Sequence, residues 1–311
     1  MAMIQRSFLS LGPTGFHRVA YTDWGERNTS RLVICVHGLS RNSRDFDYLA
    51  RRLQRSCRVV CMDVVGRGDS DWLADSSSYN FGTYVVDAAA LIARVTAPPR
   101  ASWWQTLRER FASRPADVPR LDWVGTSMGG LIGLLLAAKR DTPIRRLVLN
   151  DVGPLVPWQG LLRLGGHIAP SKPFATRQEA EAHLREACSR FGVEGEAQWE
   201  HLLANGIEQV AEGFMLRYDP ALATLRRRPD PGLPMGMNFA RGIDLWHVWE
   251  AIDCPVLVLR GARSDVLLPD TVERMRSKAN VRVVEFPEVG HAPALMNDEQ
   301  TAVVREFLLE P

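Results

Sequence analysis

The feature that most constrains the fold of this chain is a series of short aliphatic runs that alternate with helical patterns. Each run is rich in Val, Ile and Leu and is bounded by Gly, Pro or Asp, as expected of strands that are buried on both faces. Strands alternating with helices predict a mostly parallel sheet with right-handed crossovers, and therefore an α/β fold. The runs are RLVICVHG (31–38), CRVVCMD (57–63), LDWVG (121–125), IRRLVLND (144–151), CPVLVLRG (254–261) and VRVVEF (281–286).

Two stretches break this alternation. Residues 96–120 are rich in proline and contain SWWQTLRERF, which we interpret as an excursion before the next strand. Residues 152–253 contain no convincing strand pattern but several helix-start signals. We therefore predict a core domain formed by residues 1–151 and 254–311, and a helical lid, residues 152–253, inserted between two core strands.

Charge and composition argue against several classes of protein. The 311 residues include 38 basic and 36 acidic side chains, and no basic stripe is interleaved with aromatic residues, so nucleic-acid binding is not expected. No apolar run is long enough to span a membrane, and the N-terminal stretch lacks the features of a signal peptide. The five scattered cysteines predict buried thiols in the reducing cytoplasm. The spacings CxxC and HExxH are absent, so no metal site is expected.

The stretch GTSMGG places Ser127 at the junction of an apolar strand and an apolar helix. The pattern G-x-S-x-G in a strand–turn–helix context is typical of a nucleophilic serine. The turn is so tight that side chains two residues away on either side must be absent, and Gly125 and Gly129 meet that need. The helix that begins at Met128 points its N–H groups toward the serine, which favours developing negative charge.

These motifs, in their order along the chain, resemble those of the α/β-hydrolase family. VHG follows a buried strand, DVVGRGDS follows the next, GTSMGG forms the elbow, GARSD follows a late strand and GHAP precedes the last helix. The resemblance covers nearly the whole chain. It implies a triad with Ser127 as the nucleophile, His291 as the general base and an aspartate as the orienting acid, with neither a cofactor nor a metal.

The positions of the histidine and the aspartate can also be argued from the residues. His291 lies in the loop EVGHAPAL between the last strand and the last helix, where an imidazole can reach the carboxyl edge of the sheet. There it can take the proton of a serine hydroxyl and return it to the leaving group. Two aspartates satisfy the chain order Ser, Asp, His: Asp151 ends RLVLND, and Asp265 follows VLVLRGA. Because most family members carry the acid after the later strand, the resemblance favours Asp265, with Asp151 as the alternative.

An oxyanion hole needs two backbone donors. The resemblance assigns them to the N–H groups of Met128, which follows the nucleophile, and Leu39, in the loop after VHG. His37 would brace that loop. Arg41 in the same loop is a candidate for binding a substrate carboxylate or hydroxyl, and a solvated arginine is the equal alternative. Trp158 is a candidate for lining an acyl or alcohol pocket, with packing inside the lid as the alternative.

The function predicted from these features is that of a serine carboxylesterase, which cleaves small to medium ester molecules through an acyl-enzyme. The same machinery also supports hydrolysis of lactones or thioesters and cofactor-free perhydrolysis. Hydrolysis of C–C bonds in ring-cleavage diketo-acids is another alternative, which would need a basic residue such as Arg41 or Arg217 for the carboxylates. A nucleophilic Asp at the elbow would indicate a dehalogenase or an epoxide hydrolase, and Ser127 argues against both. A receptor that senses a small ligand on a hydrolase scaffold is a further alternative, which turnover would distinguish.

Overall fold

The aliphatic runs are the strands of one sheet. The computed structural model describes residues 2–310 apart from 28, 98–120, 167, 169–171, 228, 229, 231 and 237–239. Numbered in chain order, the strands of the main sheet are β1 (Ile4–Gly12), β2 (Gly15–Trp24), β3 (Leu32–Val36), β4 (Arg58–Met62), β5 (Leu121–Thr126), β6 (Ile144–Asn150), β11 (Val256–Gly261) and β12 (Val281–Phe286).

Within the described residues, these eight strands lie in the order β1-β2-β4-β3-β5-β6-β11-β12. The pairs β1–β2 and β2–β4 are antiparallel, and every other neighbouring pair is parallel. The α/β fold with a mostly parallel sheet, predicted from the sequence, is confirmed. The carboxyl ends of the parallel strands meet at one edge, where open sheets of this kind bind their ligands.

Both faces of the sheet are buried. In β3, Val33 and Cys35 belong to one hydrophobic cluster, whereas Ile34 and Val36 belong to the other. All four side chains are fully buried. Successive side chains of a strand point to opposite faces, so a strand covered on both sides requires apolar residues at every position. That requirement explains why the strands read as continuous aliphatic runs.

Helices cover the sheet and fill the segment between β6 and β11. In the described residues, the helices are α1 (Asp47–Leu53), α2 (Phe81–Thr96), α3 (Met128–Ala137), α4 (Trp158–Gly166), α5 (Arg177–Cys188), α6 (Gly195–Gly206), α7 (Trp246–Glu250), α8 (Pro269–Arg276) and α9 (Asp298–Leu309). The helix α3 follows β5 directly, and nine of its ten residues are buried, as its uniformly apolar sequence requires. Short 3₁₀ helices span Ser43–Phe46, Ser76–Ser78 and Pro220–Arg227.

The segment 152–253 contains strands that the sequence did not predict. β7 (Leu155–Pro157) pairs with β10 (Gly242–Asp244), and β8 (Ile207–Val210) pairs with β9 (Gly213–Leu216), both antiparallel. The expectation that this segment contains no strand was therefore wrong, whereas helices are present in it as predicted. These strands are only three or four residues long, which is too short to show either an alternating or a continuous apolar pattern. None of them joins the main sheet.

Three further observations concern the chain as a whole. No helix in the described residues is both long and apolar enough to cross a membrane. All five cysteines are free thiols, and four of them are buried. The excursion interpreted at residues 96–120 lies, from residue 98 onward, outside the described residues.

Candidate active site

Ser127 occupies a strained turn between β5 and α3. Its φ of 50° and ψ of −113° lie in a region that side-chain-bearing residues rarely adopt. Both flanking glycines are required by close backbone contacts. A Cβ at Gly125 would lie 2.3 Å from the carbonyl oxygen of Gly129, and a Cβ at Gly129 would lie 2.0 Å from that of Val36. The turn therefore holds Ser127 at the carboxyl edge of the sheet, directly before the amino end of α3.

His291 bridges Ser127 and an aspartate. Its Nε2 lies 2.9 Å from Ser127 Oγ, and its Nδ1 lies 2.7 Å from Asp151 Oδ2. Because a carboxylate only accepts hydrogen bonds, Nδ1 carries the proton and Nε2 is free to accept the proton of the serine hydroxyl. His291 is 5% exposed and Asp151 is fully buried, so both interactions are shielded from water. This arrangement can convert the serine hydroxyl into a nucleophile.

Asp151 is fixed by three donors. Besides Nδ1 of His291, its Oδ1 accepts the backbone N–H of Gly261 at 2.9 Å, and its Oδ2 accepts the hydroxyl of Ser264. Its φ of 55° is left-handed, which is unusual for a residue with a side chain. The end of β11 and the loop after it thus hold the carboxylate that follows β6. Together with the histidine, these donors compensate the cost of burying its charge.

Asp265 does not occupy the position that the sequence favoured for it. Its carboxylate is held by Arg163 of α4, with Nη2 at 2.6 Å from Oδ1 and a second hydrogen bond from Nε to Oδ2. Burial works to raise the pKa of Asp265, but Arg163 outweighs that effect and holds the pKa below its usual value. The loop presents Ser264, one residue earlier, to the buried side, and Asp265 points toward α4. The structure therefore corrects the preference for Asp265: the alternative, Asp151, is the residue in contact with His291.

Asn150 connects the segments that carry the serine and the histidine, and the sequence analysis missed it. Its backbone oxygen accepts the N–H of Ser127 at 3.0 Å. Its side-chain Nδ2 donates to Oγ1 of Thr126 at 3.0 Å and to the carbonyl oxygen of Pro293 at 2.8 Å. The side chain is fully buried. A polar residue that ends an otherwise aliphatic strand directly before Asp151 was the only signal that could have revealed it.

Arg67 was also missed, although it contacts both residues assigned to the oxyanion hole. Its guanidinium is fully buried, with Nε donating to the carbonyl oxygen of Leu39 at 2.9 Å and Nη2 lying 3.7 Å from Sδ of Met128. Nη1 donates to the carbonyl oxygen of Val65 at 2.7 Å. An arginine between two glycines in VVGRGDS was the available signal. The roles of Leu39 and Met128 as oxyanion donors stay predictions.

His37 lies beneath the loop that carries Leu39. Its Nε2 accepts the N–H of Val64 at 3.0 Å, and its Nδ1–H donates to the carbonyl oxygen of Gly38 at 2.7 Å. Complete burial lowers its pKa from 6.5 to about 3, so the ring is neutral. With both nitrogens engaged by backbone groups, His37 has no free lone pair for proton transfer.

A mainly apolar cavity opens onto Ser127 Oγ. Arg41 lies among its lining residues, but Trp158 does not, and Trp158 is 42% exposed at the start of α4. Leu164, six residues further along α4, lines the cavity instead. Residues from α5, α6 and β9 also line it; they are Leu184, Ala187, Cys188, Leu202 and Leu216. Among the described residues, no group of three or more His, Cys, Asp or Glu side chains is arranged to hold a metal ion.

The chain is similar to a known protein family and to known hydrolases. Residues 33–306 match the model of the alpha/beta hydrolase family. The chain is 40% identical to a 3-hydroxybutyrate-oligomer hydrolase of Cupriavidus necator over 96% of this chain and 94% of that protein. It is 26% identical to a pimeloyl-[acyl-carrier protein] methyl ester esterase of Neisseria meningitidis, over 89% and 93% of the two chains.

A solved structure supports the same assignment. The crystal structure of an alpha/beta hydrolase from Novosphingobium aromaticivorans superposes with a TM-score of 0.79 and 32% identity, covering 99% of both chains. The family model covers most of the strands of the main sheet, the elbow and the histidine loop. With its fold, its strained serine turn and these relatives, the chain belongs to the α/β-hydrolase family.

Proposed function

We propose that this hydrolase cleaves carboxylic esters through an acyl-enzyme, with Ser127 as the nucleophile, His291 as the general base and Asp151 as the orienting acid. The observation that carries the proposal is the pair of hydrogen bonds by which His291 joins Ser127 to Asp151. Two relatives whose names state ester substrates support the bond type. A mainly apolar cavity has Ser127 and His291 among its lining residues.

The proposed reaction has two stages. Ser127 Oγ attacks the ester carbonyl while its proton moves to Nε2 of His291, and Asp151 stabilises the resulting imidazolium. The N–H groups of Leu39 and Met128 would bind the oxyanion of the tetrahedral intermediate. The bond to the alcohol oxygen then breaks, and His291 returns its proton to that oxygen. In the second stage His291 takes a proton from water, the hydroxide attacks the acyl group, and Ser127 leaves with the proton.

The substrate class that we favour is short oligoesters of hydroxy acids. The relative that is 40% identical is named for hydrolysis of 3-hydroxybutyrate oligomers, and the alignment spans nearly the full length of both chains. The predicted lid, residues 152–253, supplies much of the cavity wall, and we propose that it covers the bound ester. A covered, mainly apolar cavity suits short, weakly polar chains better than a bulky polymer.

The test is hydrolysis of p-nitrophenyl butyrate and of the 3-hydroxybutyrate trimer by the purified protein. Ser127→Ala is expected to lower kcat by about a millionfold, the loss seen when a serine nucleophile is removed. Ser189→Ala removes an exposed serine hydroxyl outside the cavity, which donates to the carbonyl oxygen of Glu186, and serves as the matched control. Intact-protein mass spectrometry of a rapidly quenched reaction would detect the acyl group on Ser127.

The alternatives predict other results. Turnover of a vinylogous diketo-acid without turnover of any ester would assign C–C hydrolysis instead. Lactone or thioester turnover that exceeds ester turnover would change the bond class but keep the mechanism. Binding without turnover would support a receptor. Full activity in Ser127→Ala would overturn the proposal. A cytoplasmic location stays a prediction.

A further inference from the structure

Arg41 lies inside the cavity rather than in solvent. Its side chain is 7% exposed, and it lines the same cavity as Ser127 and His291. Its neighbours there are mostly apolar, including Leu184 and Cys188 of α5. Burying a guanidinium among apolar groups is costly unless its charge and its donors are compensated. The cavity therefore contains a charged group that a purely apolar ester pocket does not need.

Asp45 holds the guanidinium in one orientation. Nε of Arg41 donates to Oδ2 of Asp45 at 2.9 Å, and Nη2 donates to Oδ1 at 2.6 Å. Burial works to lower the pKa of Arg41, but Asp45 outweighs that effect and raises the pKa, so the side chain stays charged. This pairing fixes the plane of the guanidinium before any ligand binds.

The pairing leaves donors available. A guanidinium has five N–H groups, and the pair of bonds to Asp45 uses two of them. Within the described residues, Asp45 is the partner of every hydrogen bond that the Arg41 side chain makes. At its other end, Nη1 approaches the end of α6, where a Cβ at Gly206 would lie 3.5 Å away.

The position along the chain relates Arg41 to the reacting carbonyl. Arg41 follows Leu39, the predicted oxyanion donor, by two residues, so their Cα atoms are at most about 7 Å apart. In an oligoester of 3-hydroxybutyrate, the free carboxylate carbon of the terminal unit is three bonds from the alcohol oxygen of the last ester. An arginine on this loop is therefore close enough to bind that carboxylate while the ester carbonyl lies at the serine.

We propose that Arg41, oriented by Asp45, binds the free carboxylate of the substrate, so that the enzyme prefers acid-terminated oligoesters and cleaves the ester bond next to the acid end. This inference rests on the proposed function. The carboxylate would accept hydrogen bonds from the remaining N–H groups of the guanidinium, in the charge-assisted geometry that arginine provides. Among the described residues that line the cavity, Arg41 is the single lysine or arginine, so it is the side chain that attracts an anion.

The test compares the 3-hydroxybutyrate dimer as the free acid with its methyl ester. The readout is the ratio of kcat/KM for the two substrates. We expect the wild type to favour the free acid, and Arg41→Met to lower that ratio roughly 10- to 100-fold, the effect of losing hydrogen bonds between charged groups. The double variant Arg41→Met/Asp45→Asn should lower it equally without leaving an unpaired carboxylate.

Arg44→Met is the matched control. Arg44 forms a similar pair with Asp47, at 2.6 Å between Nη2 and Oδ2, but it is not among the residues that line the cavity. Its removal should leave the ratio unchanged. An equal loss on both substrates in Arg41→Met would overturn the inference and assign Arg41 a structural role. A wild-type ratio near one would overturn it as well.

A binding measurement separates this inference from the proposed function. Titration calorimetry with Ser127→Ala measures the affinity for the free-acid dimer without turnover. A lower affinity in Ser127→Ala/Arg41→Met than in Ser127→Ala supports the carboxylate site, even if the wild type hydrolyses neither substrate. Such a lack of hydrolysis would overturn only the proposed function. Affinity that does not depend on Arg41 overturns the inference even if the esters are hydrolysed.

Discussion

The loops that follow β6 and β11 each carry an aspartate at the same edge of the sheet, yet only one aspartate contacts the histidine. Asp151 is fully buried and accepts hydrogen bonds from Gly261 at the end of β11, from Ser264 in the loop after β11 and from His291. The side chain of Asp265 is 40% exposed and pairs with Arg163. The difference teaches that the position of an aspartate after a strand does not make it the orienting acid. What distinguishes the two is burial and the number of donors that hold the carboxylate.

The largest expected effect comes from removing the charge of Asp151, and removing the charge of Asp265 is the comparison. Asp151→Asn should lower kcat about ten-thousandfold, because an amide at this position favours the wrong histidine tautomer. Asp265→Asn should change kcat less than about threefold, because its partly exposed pair with Arg163 contributes little. The measurement is kcat on p-nitrophenyl butyrate for both variants, with circular dichroism to confirm folding. A large loss in Asp265→Asn with a small loss in Asp151→Asn would reverse the comparison.

An intermediate effect is expected at Asn150, the last residue of β6, which directly precedes Asp151. Asn150→Ala removes the side-chain link between Thr126 and the histidine loop, so His291 should lose its alignment with Ser127 and kcat should fall up to about a hundredfold. Asn280→Ala is the matched control, because the Asn280 amide likewise donates to two oxygens, the backbone carbonyls of Asp253 and Cys254. Equal losses in the two variants would show that Asn150 contributes only stability.

The smallest effect is expected on the other loop. Arg163→Met breaks the pair with Asp265 and removes a tie between α4 and the loop after β11. Because the pair is partly exposed, the free energy of unfolding should fall by less than about 1 kcal/mol. Urea denaturation measures this change, and Arg177→Met, which breaks the exposed pair with Glu181 within α5, is the comparison. A fall of several kcal/mol in the free energy of unfolding would mean that α4 stabilises the loop after β11 as strongly as the buried carboxylate stabilises the loop after β6.

The strands of the main sheet could be predicted from the sequence because burial on both faces selects apolar residues at successive positions. Ser127 could be singled out because its turn tolerates only glycine on either side. The choice between Asp151 and Asp265 could not be made, since it depends on a one-residue difference in a loop that presents Ser264 rather than Asp265 to the interior. Arg67 and Asn150 act through backbone carbonyls of distant segments, and such contacts leave no local pattern. The short strands of the 152–253 segment, such as β8 and β9, were not predicted because they are too short to show an apolar pattern.

The place of the 152–253 segment in the chain has a consequence for biosynthesis. β11 pairs with β6, although more than a hundred residues separate them in the chain. During synthesis, β6 is made well before its partner β11. The edge of β6 that pairs with β11 therefore stays unpaired while the intervening residues are made. Ser127 and Asp151 are synthesised early, whereas His291 comes from the loop after β12. Under the proposed mechanism, a nascent chain therefore carries the nucleophile and the orienting carboxylate but not the base, and it is inactive until the end of the sheet has been made.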